Sequence, residues 1–224
     1  MIIVHHLNNS RSQRILWLLE ELDVEYQIKR YERDPQTMLA PASLLAVHPL
    51  GKSPVITDDD LTIAESGAIV EYLINRYSNG RLVPDRDSKD YLRYIYWLHF
   101  AEGSAMSPLL MKLVFDRIEH SPMPFFVKPI ARGIAQKVKT SFIQPQITRH
   151  LNYLETEISG TGWFVGSEFS AADIQMSFVL EASAVRGGLN NTSHPKLMDW
   201  LQRIHAMPSY VRALEKGGAY KLLG

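Results

Sequence analysis

Over the first eighty residues the hydrophobic positions switch between a period of two and a helical period. Ile2 to His6 reads as a strand, and Tyr26 to Tyr31 as a second. Between them Ile15, Leu18, Leu19 and Leu22 recur at helical spacing with Arg14, Glu20 and Glu21 off the stripe. That pattern predicts a helix from about Ser12 to Leu22 with one face on a sheet, hence a βαβ unit. Asp34 to Val47, with Pro35 and Pro41, suits an irregular or short-helix connection. Gly51-Lys52-Ser53-Pro54-Val55-Ile56 reads as a turn entering a strand, Asp58-Asp59-Asp60 as a polar hairpin turn, and Leu61-Thr62-Ile63 as the returning strand. A helix opens at Glu65-Ser66 and runs to about Tyr77, with Ile69, Tyr72 and Leu73 inward and Asn79-Gly80 as its stop.

Beyond Gly80 the strand signal fades. Pro84 with Asp85, Arg86 and Asp87 reads as a linker, so the expected units are 1–80, a linker at 81–87 and a helical unit at 88–224. Leu92, Ile95, Leu98, Ala105, Leu109 and Leu113 form a stripe on a helix from Ser88 to about Glu119, which Pro108 is expected to kink. Ser121 to Pro129, with three prolines and Phe125-Phe126, reads as a loop. Ile147, Leu151, Leu154 and Ile158 mark a further helix, bent or begun afresh at Pro145. Ser170-Ala171-Ala172-Asp173 has capping-box spacing, with Phe169 and Ile174 placed for a hydrophobic staple. Leu197, Trp200, Leu201 and Ile204 define a last amphipathic helix that ends before Met207-Pro208. No internal repeat or low-complexity tract interrupts the chain.

Composition narrows the chemistry. The 224 residues carry 24 basic and 24 acidic side chains, so no global field draws the protein to nucleic acid or to an anionic membrane. Strand-like Ile2-Ile3-Val4 directly after Met1 leaves no room for a signal peptide, and no apolar run approaches roughly 18 residues, so the expectation is a soluble, cytoplasmic protein. Cysteine is absent, which excludes disulfides, zinc-thiolate sites and any protein-thiol nucleophile. No metal is expected either: His5 and His6 point to opposite faces of one strand, and His99 with Glu102 lacks a third ligand. Elbow, phosphate-loop and dinucleotide motifs are absent. Tyr91, Tyr94, Tyr96 and Trp97 cluster without the basic surroundings of a nucleic-acid platform and read as core or interface.

Two helix starts remain as candidate chemistry. Asn9-Ser10-Arg11-Ser12-Gln13-Arg14 stands between the first strand and first helix, where a hydroxyl can donate to a sulfur anion, or can simply cap the helix. Ser66 sits where unpaired backbone N–H groups and the positive end of a helix dipole favour a bound carboxylate. In this order of parts the chain resembles the glutathione S-transferases, from the first strand through Trp200 and Met207-Pro208-Ser209-Tyr210, most strongly between Ser10 and Tyr77.

The resemblance implies an α+β protein with an N-terminal thioredoxin-like domain (βαβ then ββα) followed by an all-helical C-terminal domain. It implies glutathione as co-substrate, a small apolar electrophile as acceptor, and a homodimer with the Glu65 helix and the long kinked helix near its interface. Ser53 would precede a cis Pro54 and pair its backbone with the cysteinyl residue of glutathione. Glu65 and Ser66 would hold the γ-glutamyl end, and Lys52 the glycyl carboxylate. Hydroxyl-type members place a serine four residues ahead of an arginine matching Arg14, which selects Ser10 as the thiolate donor, with Ser12 second. Asn9 is the alternative, because related bacterial and fungal members use an amide here, some of them in disulfide reduction or peroxidase chemistry. Arg11 would add positive field or contact a glutathione carboxylate. Met106, Leu109, Leu110 and Leu113 are candidates for the acceptor pocket, competing with plain core packing, and Glu102 and Ser104 for the site or a partner subunit. The same fold also serves as a non-catalytic interaction or ligand-binding module, against which the intact Ser53-Pro54 and Glu65-Ser66 elements argue.

Overall fold

In the computed structural model, which describes residues 1–158 and 160–220, the chain begins with β1 (Ile2–Leu7), α1 (Ser12–Leu22) and β2 (Tyr26–Tyr31). A single turn, α2 (Ala42–Leu45), leads to β3 (Val55–Asp58), β4 (Leu61–Ala64) and α3 (Ser66–Tyr77). The sheet runs β2-β1-β3-β4, with β1 parallel to β2 and antiparallel to β3, and β3 antiparallel to β4. The βαβ-then-ββα order read from the sequence is therefore the order observed. The expected second unit follows as helices, its last residues 221–224 lying outside the described part. These are α4 (Lys89–Phe100), α5 (Met106–His120), α6 (Lys128–Val138), α7 (Gln144–Glu157), α8 (Ala171–Ala182), α9 (Pro195–His205) and α10 (Pro208–Gly217).

Two π-helical turns join successive helices without a break, Ala101–Ala105 between α4 and α5 and Lys139–Ile143 between α6 and α7, and a third, Ser183–Gly187, ends α8. The first corrects the expected kink at Pro108. A proline ring collides with the carbonyl four residues back, here Ser104, and the widened turn that ends at Ala105 takes up that misfit one turn upstream. The predicted stripe on α4 is also displaced. Leu92 is 75% exposed, whereas Tyr94, Trp97 and Leu98 are buried, because the aromatic residues form the inward face.

The loop expected from Ser121 to Pro129 ends earlier, since Pro129 stands in the first turn of α6, where its missing N–H is harmless. That helix went unpredicted: Ile130 and Ile134 are exposed and only Ala135 is buried, an inverted amphipathic pattern. Also unpredicted, α10 packs on α1, with the Trp17 indole N–H donating to Ser209 Oγ at 3.1 Å. This overturns the one-faced reading of α1. Gln13, Arg14 and Glu20 are buried although they lie off the apolar stripe, because α8 and α10 cover the face that the sheet does not.

α8 is buried along its whole length and forms the axis of the helical unit. Its capping box is formed as predicted, and Asp173 additionally accepts from the Phe164 N–H at 3.1 Å and the Trp200 indole at 3.2 Å. Burial pushes the Asp173 carboxyl up to about 6 against the pull of these donors. The Ala171 N–H donates to Leu82 O at 2.9 Å, and Phe169 rests on Trp17 and Trp163, so the start of α8 is fastened to the first unit.

Asp58 corrects a second expectation. Rather than a solvated turn residue it is the buried end of β3, accepting from the hydroxyls of Tyr72 and Tyr77. Burial alone would raise its carboxyl, yet the two hydroxyls together with the Met1 ammonium outweigh it and hold it below the usual carboxylate range.

Candidate active site

The segment joining β1 to α1 is short, and Asn9 turns it by adopting a left-handed conformation with φ 49°. Ser10, 4% exposed, then sits at the mouth of α1. Its Oγ lies 2.7 Å from Ser12 Oγ and donates to Ser53 Oγ at 3.2 Å, while the Ser12 N–H donates to it at 3.3 Å. Ser12 is fully buried behind it and bonded through Oγ to His6 Nδ1 at 2.8 Å. Ser53 Oγ donates to the carbonyl of His5 at 3.1 Å, fixing the loop before β3 against β1. The chain His6–Ser12–Ser10–Ser53 therefore runs from the sheet to the cleft, and the Ser53–Pro54 bond at its end is cis.

The field at this point is positive. α1 has no acidic residue in its first turn, and its first N–H, that of Ser12, is met by the neutral Ser10 hydroxyl, so no anion in that turn offsets the positive end of the helix. Burial, with Arg30 adding to it, lowers His6 to about 4, so the ring is neutral near pH 7. Arg11 and the fully buried Arg14 both reach Glu102 on the π turn after α4, Arg11 Nε at 3.3 Å, and both lie over the Phe178 ring. Arg14 also donates to Gln175 O at 2.6 Å. Burial raises the Glu102 carboxyl, but Arg14 and Arg11 outweigh it and hold it ionised.

α3 repeats the arrangement. It too lacks a first-turn acid, and it has no side-chain cap; Ser66 is buried at its start, and Glu65 before it is exposed with φ 70°. A positive φ on a glutamate costs on the order of 1–3 kcal/mol, a conformation that clusters where function requires it. Lys52 is exposed beside Ser53. The loop residues Asn9, Ser10, Arg11, Ser12, Ser53 and Pro54 are thus gathered at one end of the two central strands, β1 and β3.

The expected acceptor residues separate. Met106 and Leu109 belong to the main core, Leu113 is half-buried, and Leu110 is 51% exposed. Ser104 is exposed, while Glu102 is drawn into the arginine pair. Sequence reading missed His6 behind Ser12 and Phe178 under Arg11; nothing local signals either, because each is brought in by another element. Among the described residues no group of three or more His, Cys, Asp or Glu is placed to hold a metal, and no helix is long and apolar enough to cross a membrane. A cavity of about 660 Å³ opens elsewhere, beside Glu20, Tyr26, Arg212 and Lys216, and its carboxylate is already paired by both cations.

This arrangement, two helix N-termini without a first-turn acid flanking a cis-proline loop with a buried hydroxyl between, agrees with comparison to known proteins. The family model described as "Glutathione S-transferase, N-terminal domain" matches residues 1–75, and "Glutathione S-transferase, C-terminal domain" matches residues 114–208. Glutathione S-transferase 3 of Schizosaccharomyces pombe is 35% identical over 216 residues, covering 96% of this chain and 88% of its own. Glutathione S-transferase 1 of Saccharomyces cerevisiae is 33% identical, with 98% and 96% covered. A glutathione S-transferase structure from Actinobacillus pleuropneumoniae superposes with a TM-score of 0.80 at 32% identity, covering 100% of this chain and 95% of that one. The chain belongs to the glutathione S-transferase family and is an enzyme of that class.

Proposed function

We propose that this enzyme binds glutathione against the loop between β1 and α1 and that Ser10 stabilises its thiolate for attack on an electrophilic acceptor. The observation that carries the reading is the position of Ser10 Oγ, 3.2 Å from Ser53 Oγ at a start of α1 that has no acid in its first turn. An ordinary thiol, with a pKa of about 8.5, is only a few per cent ionised at neutral pH. A hydroxyl donating to a charged acceptor contributes about 1.5–3 kcal/mol, and each pKa unit corresponds to about 1.4 kcal/mol, so one such donor shifts the thiolate population tenfold or more. With no cysteine in the chain, the reactive sulfur must be the co-substrate's.

In this reading the Ser53 backbone pairs with the cysteinyl residue, Ser66 and the backbone start of α3 receive the γ-glutamyl carboxylate, and Glu65 receives its ammonium. Lys52 meets the glycyl carboxylate. Arg11 adds positive field, and Ser12 acts behind Ser10, fixing its hydroxyl rather than touching sulfur. The acceptor lies on the α5 side, beside Leu113. A homodimer built on α3 and α4 is supported by Leu92 and Tyr96, which are 75% and 43% exposed on one face of α4, and by Leu61, 50% exposed on β4.

A second reading centres on Asn9, which is less buried than Ser10 and is turned by its left-handed backbone at the same mouth; it would favour disulfide reduction or peroxide chemistry over conjugation. Steady-state kinetics with glutathione and a chlorodinitrobenzene separate the two. Loss of conjugation in Ser10→Ala supports the first reading. Conjugation within twofold of wild type in Ser10→Ala, with turnover abolished in Asn9→Ala, contradicts it.

A further inference from the structure

Four arginines from four separate segments lie around the start of α1. Arg11 opens α1 next to Ser10, and its guanidinium lies 5.7 Å from the centre of the Phe178 ring. Arg186 stands on the π turn that continues the Phe178 helix, and its Nε and Nη1 are buried without a hydrogen-bond partner. The neighbouring Gly187 packs on Leu109 of α5, and a Cβ there would come within 3.2 Å of the leucine side chain. Arg117 follows Leu109 and Leu113 at helical spacing of four, so it extends the same face of α5. Arg33 comes from the segment after β2, where its N–H donates to Asn8 Oδ1 at 3.0 Å, beside Asn9 and Ser10, and its Nη1 donates to Met38 O at 3.2 Å.

These cations lie within electrostatic reach of one another, Arg33 of Arg117 and Arg11, and Arg186 of Arg11 and Arg117, with the Asp116 carboxylate also in reach of Arg186. The nearby carboxylates are committed elsewhere. Asp116 is held by Lys112 and Lys139, each at 2.8 Å, and Glu102 by Arg14 and Arg11. Gathering like charges is unfavourable unless something neutralises them, and buried guanidinium N–H groups without a partner carry a desolvation cost. A planar carboxylate, accepting two parallel hydrogen bonds, is the group that a guanidinium fits best.

We propose that the acceptor side of the cleft is built for an electrophile carrying a carboxylate next to its reactive ring or chain, with Arg186 and Arg117 as the groups that receive it. This rests on the transferase reading above and sharpens it from an apolar acceptor to an anionic one with an apolar body over Leu113. The step is then an ordinary displacement. The glutathione sulfur forms a bond to the ring carbon, the carbon–chlorine bond of a chloroarene breaks, chloride leaves with the electron pair, and the thiol proton has already gone to solvent. The acceptor's carboxylate is unchanged and serves only to hold it.

The test uses a matched pair, a chlorodinitrobenzene and the same ring bearing a carboxylate para to the chlorine, with each rate divided by the uncatalysed rate with glutathione. Wild type should favour the acid by about tenfold or more in kcat/KM. Arg186→Gln and Arg117→Gln should each lower that acid-over-neutral ratio about fivefold, mainly through KM for the acid, with Arg186→Lys recovering part of it. Arg117 is exposed, so its replacement does not endanger the fold. Equal use of the two acceptors by wild type, an unchanged ratio in both variants, or variants that weaken glutathione rather than the acid would each overturn the proposal. Should neither chloroarene react, the conjugation reading fails on its own. Calorimetry with the unreactive dinitrobenzoate then decides the site separately: binding that weakens in Arg186→Gln supports it, and binding equal to wild type contradicts it.

Discussion

The starts of α1 and α8 are both buried helix N-termini, and they solve the same electrostatic problem in opposite ways. At α8 the chain supplies its own anion: Asp173 closes the capping box and also accepts from Phe164 and Trp200. At α1 no acid stands in the first turn, and the buried Ser10 meets the Ser12 N–H only with a neutral hydroxyl. The start of α8 is complete without a ligand, whereas in the proposed reading the start of α1 is completed by one. This difference separates a folding element from a binding element more sharply than the residue types do, since serine appears at both.

Several experiments can break or sharpen the contrast. The largest effect should come from Asp173→Ala, which strands the N–H groups of Phe164 and Ser170 and the Trp200 indole; at about 1–3 kcal/mol for each buried orphan donor, a loss of about 3 kcal/mol or more is expected in denaturant unfolding. The folded fraction of that variant should still bind glutathione, and selective loss of glutathione affinity with unchanged stability would reverse the assignment of the two helix ends.

A comparable effect should follow pH through His6. Its folded-state value of about 4 lies below the ordinary 6.5, so the unfolded chain binds more protons between those limits. The stabilisation is therefore complete above pH 6.5 and is lost as pH falls toward 4, amounting to about 3 kcal/mol from the shift in pKa. Unfolding midpoints should drop over that interval, and the slope should flatten in His6→Gln. An unchanged slope in the variant would remove His6 from the account.

Ser10→Ala should lower kcat/KM for conjugation by about 10- to 100-fold, the equivalent of one charged hydrogen bond, with a stability loss of about 1–3 kcal/mol for the Ser12 N–H it strands. Smaller again, Ser66→Ala should raise KM for glutathione about tenfold with little change in the ionisation of the bound thiol, because its place is at the far end of the tripeptide. A parallel loss of ionisation in Ser66→Ala would merge two roles that the present account keeps apart.

How much of this was legible beforehand depends on how local each determinant is. α1 and β2 lie where the alternation of Ile15 to Leu22 and the run from Tyr26 put them, because period and burial agree there. The capping box at Ser170 and Asp173 was readable for the same reason, since both partners sit within one turn. Asp58 misled because the tyrosines that bury it come from α3, fourteen and nineteen residues on. α6 escaped because its isoleucines face outward, and the full burial of α1 escaped because α8 and α10 arrive from the far end of the chain. The same rule governs the cleft. The position of Ser10 just before α1 was readable, whereas the proximity of Arg33, Arg117 and Arg186 to Arg11 or to one another exists only in three dimensions.

The central claim, that Ser10 at the open end of α1 holds the sulfur of glutathione as an anion, is met most directly by titrating bound glutathione through the ultraviolet absorbance of its thiolate. The account predicts an apparent pKa at least about one unit below that of the free thiol in wild type and in Asn9→Ala, returning toward the free value in Ser10→Ala. A shift that survives in Ser10→Ala and disappears in Asn9→Ala would contradict it.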